Sequence, residues 1–374
     1  MQMLLTAFEL TGDPSHLREF AARFDDLRST LVKDKDGLLG WAGKPIEPLR
    51  DPAKPDVVIN EIQTDFRAVG VVALFLELVE RDDDLKKEFA SLRKDYLDLL
   101  ENHLIRRWDN SYSDLGDKGA IYRWNPDYIP NKANLTLAHE KQANMIDGYL
   151  NLYRVTKNPL YLQRAAKLGT WLKKCLGLVE GHYVWSYWDP AGAWDISPQD
   201  PAKWKHWVGK EPKAQWYAAT VGSALALYHH GVVFDKQDVA RFVKTQMEVC
   251  WNRDLDNPAF FTCDGKPAKE GERFIAPSLA PFEDQVAGFL YTGKRQDERV
   301  QKSADAWQGG VLAGQWLRGK YLELPAVKAR EQSYLASTKD FLARPENQVF
   351  LKSLQFEVTT PGYSTPPTPA QMTP

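Results

Sequence analysis

The sequence of this 374-residue chain predicts an all-α fold, an α/α toroid built from repeated helical hairpins. A helical corner with the sequence ELTGDPSHLREFA at 9–21 returns as RVTKNPLYLQRAA at 154–166. In both copies a helix ends at a tight turn and a second helix opens at proline, which suits the first helical turn because no N–H is needed there. Since a single hairpin cannot bury its own apolar face, we expect the hairpins to stack side by side.

Apolar segments with a period of 3.6 residues alternate with more polar helices along the chain. The apolar helices are predicted at the N-terminus and at 62–79, 135–155, 215–230 and 281–291. Their polar partners are predicted at 14–32, 83–105, 159–176, 236–251 and 296–318, with a last helix at 326–344. This alternation predicts an inner ring wrapped by an outer ring, in a toroid of six or seven hairpins that is complete or open.

The hairpins continue to about residue 345 without a low-complexity break, which predicts a single toroid domain at 1–355. Residues 356–374 are rich in Pro and Thr and are expected to form an extended tail. A net charge of −2 gives no general attraction for nucleic acid, and no apolar run is long enough to span a membrane. We expect a secreted or periplasmic protein that has lost a signal peptide, or alternatively a cytoplasmic one.

In such a toroid the inner helices point the same way, so their N-termini and the long loops before them meet at one mouth. These loops are 33–60, 106–134, 178–214 and 253–280, and loops of this length in a compact domain are usually functional.

The segment LTLAHEKQ opens one inner helix with polar residues. His139, Glu140 and Gln142 fall in its first turns, where the positive helix end favours anions. The alternative interpretation is structural: Asn134 or Thr136 caps the helix, Glu140 complements its dipole, and His139 is a core histidine.

The third loop holds an unusual share of the 13 tryptophans. Its aromatic residues are Trp185, Trp188, Trp194, Trp204, Trp207 and Trp216, with Tyr183, Tyr187 and Tyr217. Its basic residues are Lys203, Lys205, His206, Lys210 and Lys213. Aromatic faces stack on sugar rings, and a positive patch binds carboxylates, so the loop predicts an acidic sugar ligand. Alternatively, the tryptophans pin the loop to the barrel; single-stranded nucleic acid is disfavoured by the balanced charge.

Other candidates lie at the remaining helix starts. Arg123 is suited to hold a carboxylate because its planar fork accepts one bidentately. Arg67 could do the same or pair with Asp65, and Glu283 could bind substrate or complement its own helix dipole. Tyr217 is a poor base unless a positive helix end or an arginine lowers its pKa.

The segment DNSYSDLGDKG at 109–119, with three aspartates around a glycine, is a candidate calcium site. The segment lacks EF-hand spacing and a terminal bidentate glutamate, so a turn is favoured. We therefore expect neither a metal ion nor a cofactor.

Several segments together resemble a known family: the ELTGDP-type corners, LTLAHEKQ, YWDPAGAWD, and HWVG followed by WYA and YHHGVVF. Over about residues 55 to 345 the chain is similar to bacterial α/α-toroid polysaccharide lyases, the alginate and glucuronan lyases of polysaccharide lyase family thirty-eight. The resemblance implies β-elimination on a uronic acid polymer. A base removes the C5 proton, the C4 oxygen leaves, and nearby donors neutralise the carboxylate.

Chemistry suggests roles for the candidates in such a reaction. Tyr217 is the expected base, with His206 as the alternative. His139, Arg123 and Gln142 are expected to hold or neutralise the carboxylate. The residues expected to line the sugar subsites are Trp185, Trp188, Trp207, Tyr187, Asn134, Glu140, Arg67, Lys205 and Glu283.

Two other functions fit the same residues. A glycoside hydrolase would use two carboxylates flanking the bond, for which Glu140 and Glu283 are the first pair and Asp195 is in reserve. A helical repeat protein could also bind a glycan without any chemistry.

Overall fold

The computed structural model describes residues 1–34, 36–43, 59–60, 62–125, 132–254, 257–291, 339–340, 342–358 and 368–372. Of these residues, 59% are helical and 9% lie in strands, so the predicted all-α class is confirmed. The chain forms two compact units that alternate along the sequence. The first unit comprises Met1–Leu27, Gly181–Tyr183 and Glu211–Phe356; the second comprises Arg28–Glu180, Val184–Lys210 and Glu357–Pro374. The single domain expected at 1–355 stays a prediction.

The described part of the chain contains twelve α-helices and eight short strands. The helices are α1 Gln2–Thr11, α2 Ser15–Arg28, α3 Ile62–Val79, α4 Asp83–Glu88, α5 Ala90–Asp98, α6 His139–Thr156, α7 Pro159–Lys174, α8 Ala214–His229, α9 Lys236–Lys244, α10 Asp284–Tyr291, α11 Pro345–Leu354 and α12 Pro369–Met372. The strands are β1 Val32–Lys33, β2 Leu39–Gly40, β3 Ala42–Gly43, β4 Ile59–Asn60, β5 Tyr112–Asp114, β6 Ala120–Tyr122, β7 Gly177–Val179 and β8 His182–Val184. The pairs β1–β2, β3–β4 and β5–β6 are antiparallel.

The hairpin corners are built as the sequence predicts. α1 ends at Gly12, whose φ of 71° is the left-handed conformation that glycine adopts without strain. The Asp13 carboxylate then accepts a hydrogen bond from the Ser15 N–H at 2.9 Å. In the second copy Asn158 caps α7 by accepting from the Leu160 N–H at 3.1 Å, with Pro159 in the first turn.

The predicted helix bounds agree with most of the observed ones. The polar partner predicted at 83–105 consists of α4 and α5, followed by the π-helical segment Leu99–Ile105. The partner predicted at 236–251 is α9 with a π-helical extension to Cys250. The helix predicted at 296–318 and most of that at 326–344 lie outside the described residues. Two helices, α11 and α12, were not predicted, and α12 lies in the stretch expected to be extended.

Within the second unit, α3 and α6 run parallel and in contact. Gln63 Nε2 donates to Glu140 Oε2 at 3.2 Å, Arg67 Nε donates to Asn144 Oδ1 at 3.1 Å, and Asn151 Nδ2 donates to the Gly70 carbonyl at 3.1 Å. Because the partners advance together along both helices, the two N-termini lie at the same end. This is the arrangement predicted for neighbouring inner helices at 62–79 and 135–155.

In the part of the chain that the structure describes, no helix combines the length and the apolar character needed to cross a bilayer.

Candidate functional site

The aromatic loop that follows β8 is fastened to the segment before α6. Its anchor is Asp195, which is 0% exposed and lies beside Thr136. The carboxylate accepts hydrogen bonds from the Thr136 N–H at 2.8 Å, the Thr136 hydroxyl at 2.7 Å and the Ala191 N–H at 2.8 Å. Burial raises the pKa of Asp195, while these hydrogen bonds oppose the shift. One buried carboxylate thus fixes two segments that are 59 residues apart in sequence.

Two tryptophans of the loop reinforce the same attachment. The indole N–H of Trp188 donates to the Thr136 carbonyl at 2.8 Å, and that of Trp194 donates to the Thr136 hydroxyl at 3.0 Å. Gly192 is required beneath Trp194, since a Cβ there would lie 2.5 Å from the indole ring. These tryptophans therefore act as the alternative interpretation of the loop expects, by pinning it to the protein.

The fastened loop forms one wall of a cleft of about 600 Å³. The lining is basic and aromatic, and every residue in it belongs to the second unit. The cleft is lined by Lys132, Ala202, Lys203, Trp204, Lys205, His206, Trp207, Thr368 and Pro369.

Trp207 is the aromatic residue of the cleft that is open to a ligand. It is 46% exposed, and its ring stacks on Tyr187 with centroids 5.4 Å apart and planes 9° from parallel. Gly209 lets the indole lie down on the backbone, because a Cβ at this position would come within 2.5 Å of the Trp207 ring. The Gly209 carbonyl also accepts from the Tyr187 N–H at 2.7 Å, which ties the two stacked residues together. The HWVG motif thus holds the Trp207 indole so that one of its faces is exposed to solvent.

His206 lies at the centre of these aromatic rings. Its imidazole makes edge contacts with Tyr187, Trp188 and Trp207 at centroid distances of 5.8, 5.6 and 5.8 Å. Burial lowers the pKa of His206 from 6.5 to about 4, and the charges of Lys132 and Lys141 add to the shift. The imidazole is therefore neutral at pH 7, and the same shift makes it a weaker base than a free imidazole.

The lysines around His206 direct their ammonium groups to main-chain oxygens. Lys132 Nζ donates to the Lys205 carbonyl at 2.7 Å and lies 3.3 Å from His206 Nδ1. Lys205 Nζ donates to the Ala133 carbonyl at 2.8 Å. Burial lowers the pKa of both lysines. Among the described residues, no carboxylate lies within ion-pairing distance of either lysine, although the charge of Asp195 acts on Lys205.

The shifted pKa of His206 predicts a pH dependence of stability. Because the folded-state pKa is below 6.5, the unfolded chain binds more protons between pH 6.5 and pH 4. The contribution of this residue is therefore fully present above pH 6.5 and is lost as the pH falls towards 4. We expect the free energy of unfolding, measured in urea, to fall less steeply across this window in His206→Gln than in wild type. Identical slopes would contradict the shift.

The first turn of α6 holds a buried polar cluster next to the cleft. Glu140 is 4% exposed and accepts from Gln63 Nε2 at 3.2 Å and from the Tyr187 hydroxyl at 3.4 Å. Lys141 forms an ion pair with Glu140 at 3.3 Å and donates to Gln63 Oε1 at 3.1 Å. The cluster holds Tyr187, and with it the Trp207 stack, against α6.

His139 and Gln142 are turned into the protein. His139 is 3% exposed, and its Nε2 lies 2.9 Å from Asp189 Oδ2. Gln142 is also 3% exposed; its Oε1 accepts from the Tyr122 N–H at 3.2 Å and its Nε2 donates to the Leu137 carbonyl at 2.9 Å. The expectation that both side chains hold a substrate carboxylate is not supported, because their polar atoms already have buried partners. The expected cap of α6 by Asn134 or Thr136 is also wrong, because the N-cap residue is Ala138.

Three further candidates of the second unit lie apart from the cleft lining. Arg123 stacks its guanidinium on Trp194 at 5.1 Å. Arg67 is exposed and bonded to Asn144. Asn134 occupies a turn with φ of 58°, a left-handed conformation that asparagine tolerates.

Tyr217 and Glu283 belong to the first unit. Tyr217 is 1% exposed, its hydroxyl donates to Gln246 Oε1 at 3.4 Å, and burial raises its pKa well above 10. This is the opposite of the shift expected from a positive helix end, because desolvation of the phenolate is the larger effect. Glu283 accepts from the Gln285 N–H at 3.0 Å in the first turn of α10, as its structural alternative predicts.

Two tryptophans expected in sugar subsites are core residues instead. Trp185 and Trp188 are both 0% exposed, so neither ring offers a face to a ligand. The periodicity of the sequence could not distinguish these buried tryptophans from the exposed Trp207, because all three lie in irregular backbone. Lys132 was missed as a cleft residue: it lies 74 residues before His206, and nothing in its local sequence indicates the contact.

Two of the three aspartates of 109–119 form ion pairs with basic side chains of the protein. Asp109 binds Arg164 at 2.7 Å, and Asp114 binds Lys167 and accepts from the Gly116 N–H in a turn.

Comparison with known proteins adds no relative. No family model matches the chain, and no curated protein matches it at a significant level. The chemistry of the cleft therefore carries the functional argument.

Proposed function

We propose that the chain is a polysaccharide lyase that cleaves a uronic-acid-containing polysaccharide by β-elimination, on an α/α-toroid scaffold. The observation that carries the proposal is the cleft in which His206 lies beside Lys132, Lys205 and the exposed Trp207. The parallel α3 and α6, each followed by a polar helix, support the toroid. The resemblance to alginate and glucuronan lyases points to the same chemistry.

Recognition of the sugar would use the stacked pair. A pyranose ring lying on the exposed face of Trp207 buries its C–H surface against the indole. The ring's carboxylate would then lie near the ammonium groups of Lys132 and Lys205. A neutral sugar would bind more weakly, because it would stack on Trp207 without the attraction between a carboxylate and the lysines.

The reaction needs a base and a neutralised carboxylate. In the unliganded protein, His206 Nδ1 faces Lys132 Nζ at 3.3 Å, so its lone pair is held by the ammonium group. A substrate carboxylate would attract Lys132 and free Nδ1. Nδ1 then removes the C5 proton, and the electron pair forms the C4–C5 double bond as the C4–O bond breaks. The imidazolium returns its proton to the departing oxygen, so one residue serves as base and acid.

The hydrolase alternative is not favoured by either of its candidates in the second unit, Glu140 and Asp195. Glu140 is ion-paired with Lys141 and almost fully buried, and Asp195 is occupied by three hydrogen bonds. Both carboxylates serve to position the loop and Tyr187.

The test is incubation with alginate, glucuronan and a neutral glucan while ultraviolet absorbance of the C4–C5 double bond and new reducing ends are followed together. The lyase proposal expects both signals to rise together on a uronan. Reducing ends without absorbance would indicate hydrolysis. Binding without either signal would indicate a glycan-binding protein.

Ligand binding gives a second prediction, which concerns the indole platform. Trp207→Ala should weaken binding of a uronan oligosaccharide about 2- to 10-fold, since an aromatic stack contributes roughly 0.5–1.5 kcal/mol. Gly209→Ala should have a similar effect, because its Cβ would displace the indole. Titration calorimetry of both variants at two salt concentrations measures the change.

The control is Gly222→Ala in α8, where the nearest atom to the new Cβ is 3.9 Å away. Its affinity should equal that of wild type. Wild-type affinity should also fall as salt rises, because ammonium–carboxylate attraction is screened. Unchanged affinity in both cleft variants would exclude Trp207 as the sugar platform.

A further inference from the structure

Cys175, His139 and Asp189 form a buried cluster behind the wall of the cleft. Their sulfur, nitrogen and carboxylate oxygen atoms all lie within 4.8 Å of one another, and none of the residues is more than 8% exposed. His139 Nε2 and Asp189 Oδ2 are 2.9 Å apart. All three residues belong to the second unit.

The geometry of the α6–α7 hairpin brings His139 and Cys175 together. His139 is the first residue of α6, and Cys175 directly follows the last residue of α7. Because the two helices are antiparallel and of similar length, the start of one lies level with the end of the other. Asp189 belongs to the aromatic loop. Two residues before it, the Tyr187 carbonyl accepts a hydrogen bond from the His139 N–H, which fixes the loop beside α6.

We propose that Cys175, His139 and Asp189 bind a divalent transition metal ion, with Zn²⁺ as the best match. Thiolate, imidazole and carboxylate are the ligands of protein zinc sites, and three protein ligands leave a fourth position for water. Tetrahedral zinc requires ligand atoms about 3.3–3.6 Å apart, so the three side chains need to adjust by roughly 1 Å or less. The ion would replace the hydrogen bond between His139 Nε2 and Asp189 Oδ2, and the Cys175 thiol would release its proton to solvent on binding.

Charge balance also favours a divalent ion here. A thiolate and a carboxylate together carry two negative charges, which a divalent cation cancels, and the imidazole is neutral. A neutral complex avoids the cost of an isolated charge in a buried site. The bound ion would join α6, α7 and the loop segment that carries Tyr187, so its role is to position the cleft wall. This inference does not depend on the lyase activity.

The experiment uses Co²⁺ alone as a spectroscopic probe on the reduced, chelator-treated full chain. We expect one Co²⁺ per chain, a thiolate-to-cobalt charge-transfer band in the near ultraviolet, the visible bands of four-coordinate Co²⁺, and displacement by Zn²⁺. Melting temperature should rise with Zn²⁺ concentration. Cys175→Ser should abolish the charge-transfer band and weaken binding by more than about 100-fold, beyond the effect of losing an outer-shell partner.

Cys263→Ser is the matched control, because this cysteine is equally buried but lies in the first unit. It should retain the charge-transfer band. Asp189→Asn provides a second test should Cys175→Ser fail to fold: it keeps the side chain's size and should weaken Co²⁺ binding while preserving the thiolate band. Absence of stoichiometric binding in wild type, or binding that none of the cluster variants alters, would overturn the proposal.

Discussion

Replacing His206 by glutamine is expected to lower kcat on the best uronan by about 10²- to 10⁴-fold, the usual effect of removing a general base. KM should change much less, because Trp207 and the cleft lysines remain in place to bind the sugar. Glutamine keeps a polar side chain of similar length among the aromatic rings and cannot take up the C5 proton. Initial rates of double-bond formation across a range of substrate concentrations separate kcat from KM.

His229→Gln is the matched control for this measurement. His229 also packs against aromatic rings, with centroid distances of 5.4 Å to Tyr228 and 5.8 Å to Phe282, but it belongs to the first unit. Its kcat should match that of wild type. A His206→Gln enzyme that retains near-normal kcat would remove His206 from the mechanism. Tyr217→Phe and His139→Gln would then be the next variants to test.

The second large effect is expected from Asp195→Ala. Its buried carboxylate accepts three hydrogen bonds, two from Thr136 and one from Ala191, and hydrogen bonds to a charged group are worth about 1.5–3 kcal/mol each. Alanine would leave buried donors without an acceptor. We expect the free energy of unfolding to fall by roughly 3 kcal/mol or more, and uronan affinity to fall with it because the loop carrying Trp207 loses its anchor.

Asp200→Asn tests whether any acidic residue of this loop would behave in the same way. Asp200 is more exposed, pairs with Lys203 at 3.0 Å and accepts from the Ala202 N–H at 3.0 Å. Surface ion pairs contribute little, so its substitution should leave the free energy of unfolding nearly unchanged. Urea unfolding of the two variants gives the comparison, and equal stabilities would show that Asp195 is not the anchor.

The burial of Trp185 and Trp188 shows that composition can indicate which residue types a loop contains, whereas packing decides which of them are exposed. Composition identified the loop as rich in sugar-binding residue types, and it placed Tyr187, Lys205, His206 and Trp207 in one region. It could not rank the tryptophans, because stacking on sugar and filling a core use the same apolar ring. Exposure distinguishes them, and exposure depends on which side of the loop meets α6.

The sequence alone determined most of the described helices and the two proline corners, since period, proline and capping residues act within a few positions of one another. It also determined the chemical character of the aromatic loop. Tertiary structure decided the protonation chemistry: desolvation raises the pKa of Tyr217, and burial beside Lys132 and Lys141 lowers that of His206. It also assembled Cys175, His139 and Asp189 from a helix end, a helix start and a loop. Burial and long-range contact depend on residues far apart in the chain, which local patterns do not specify.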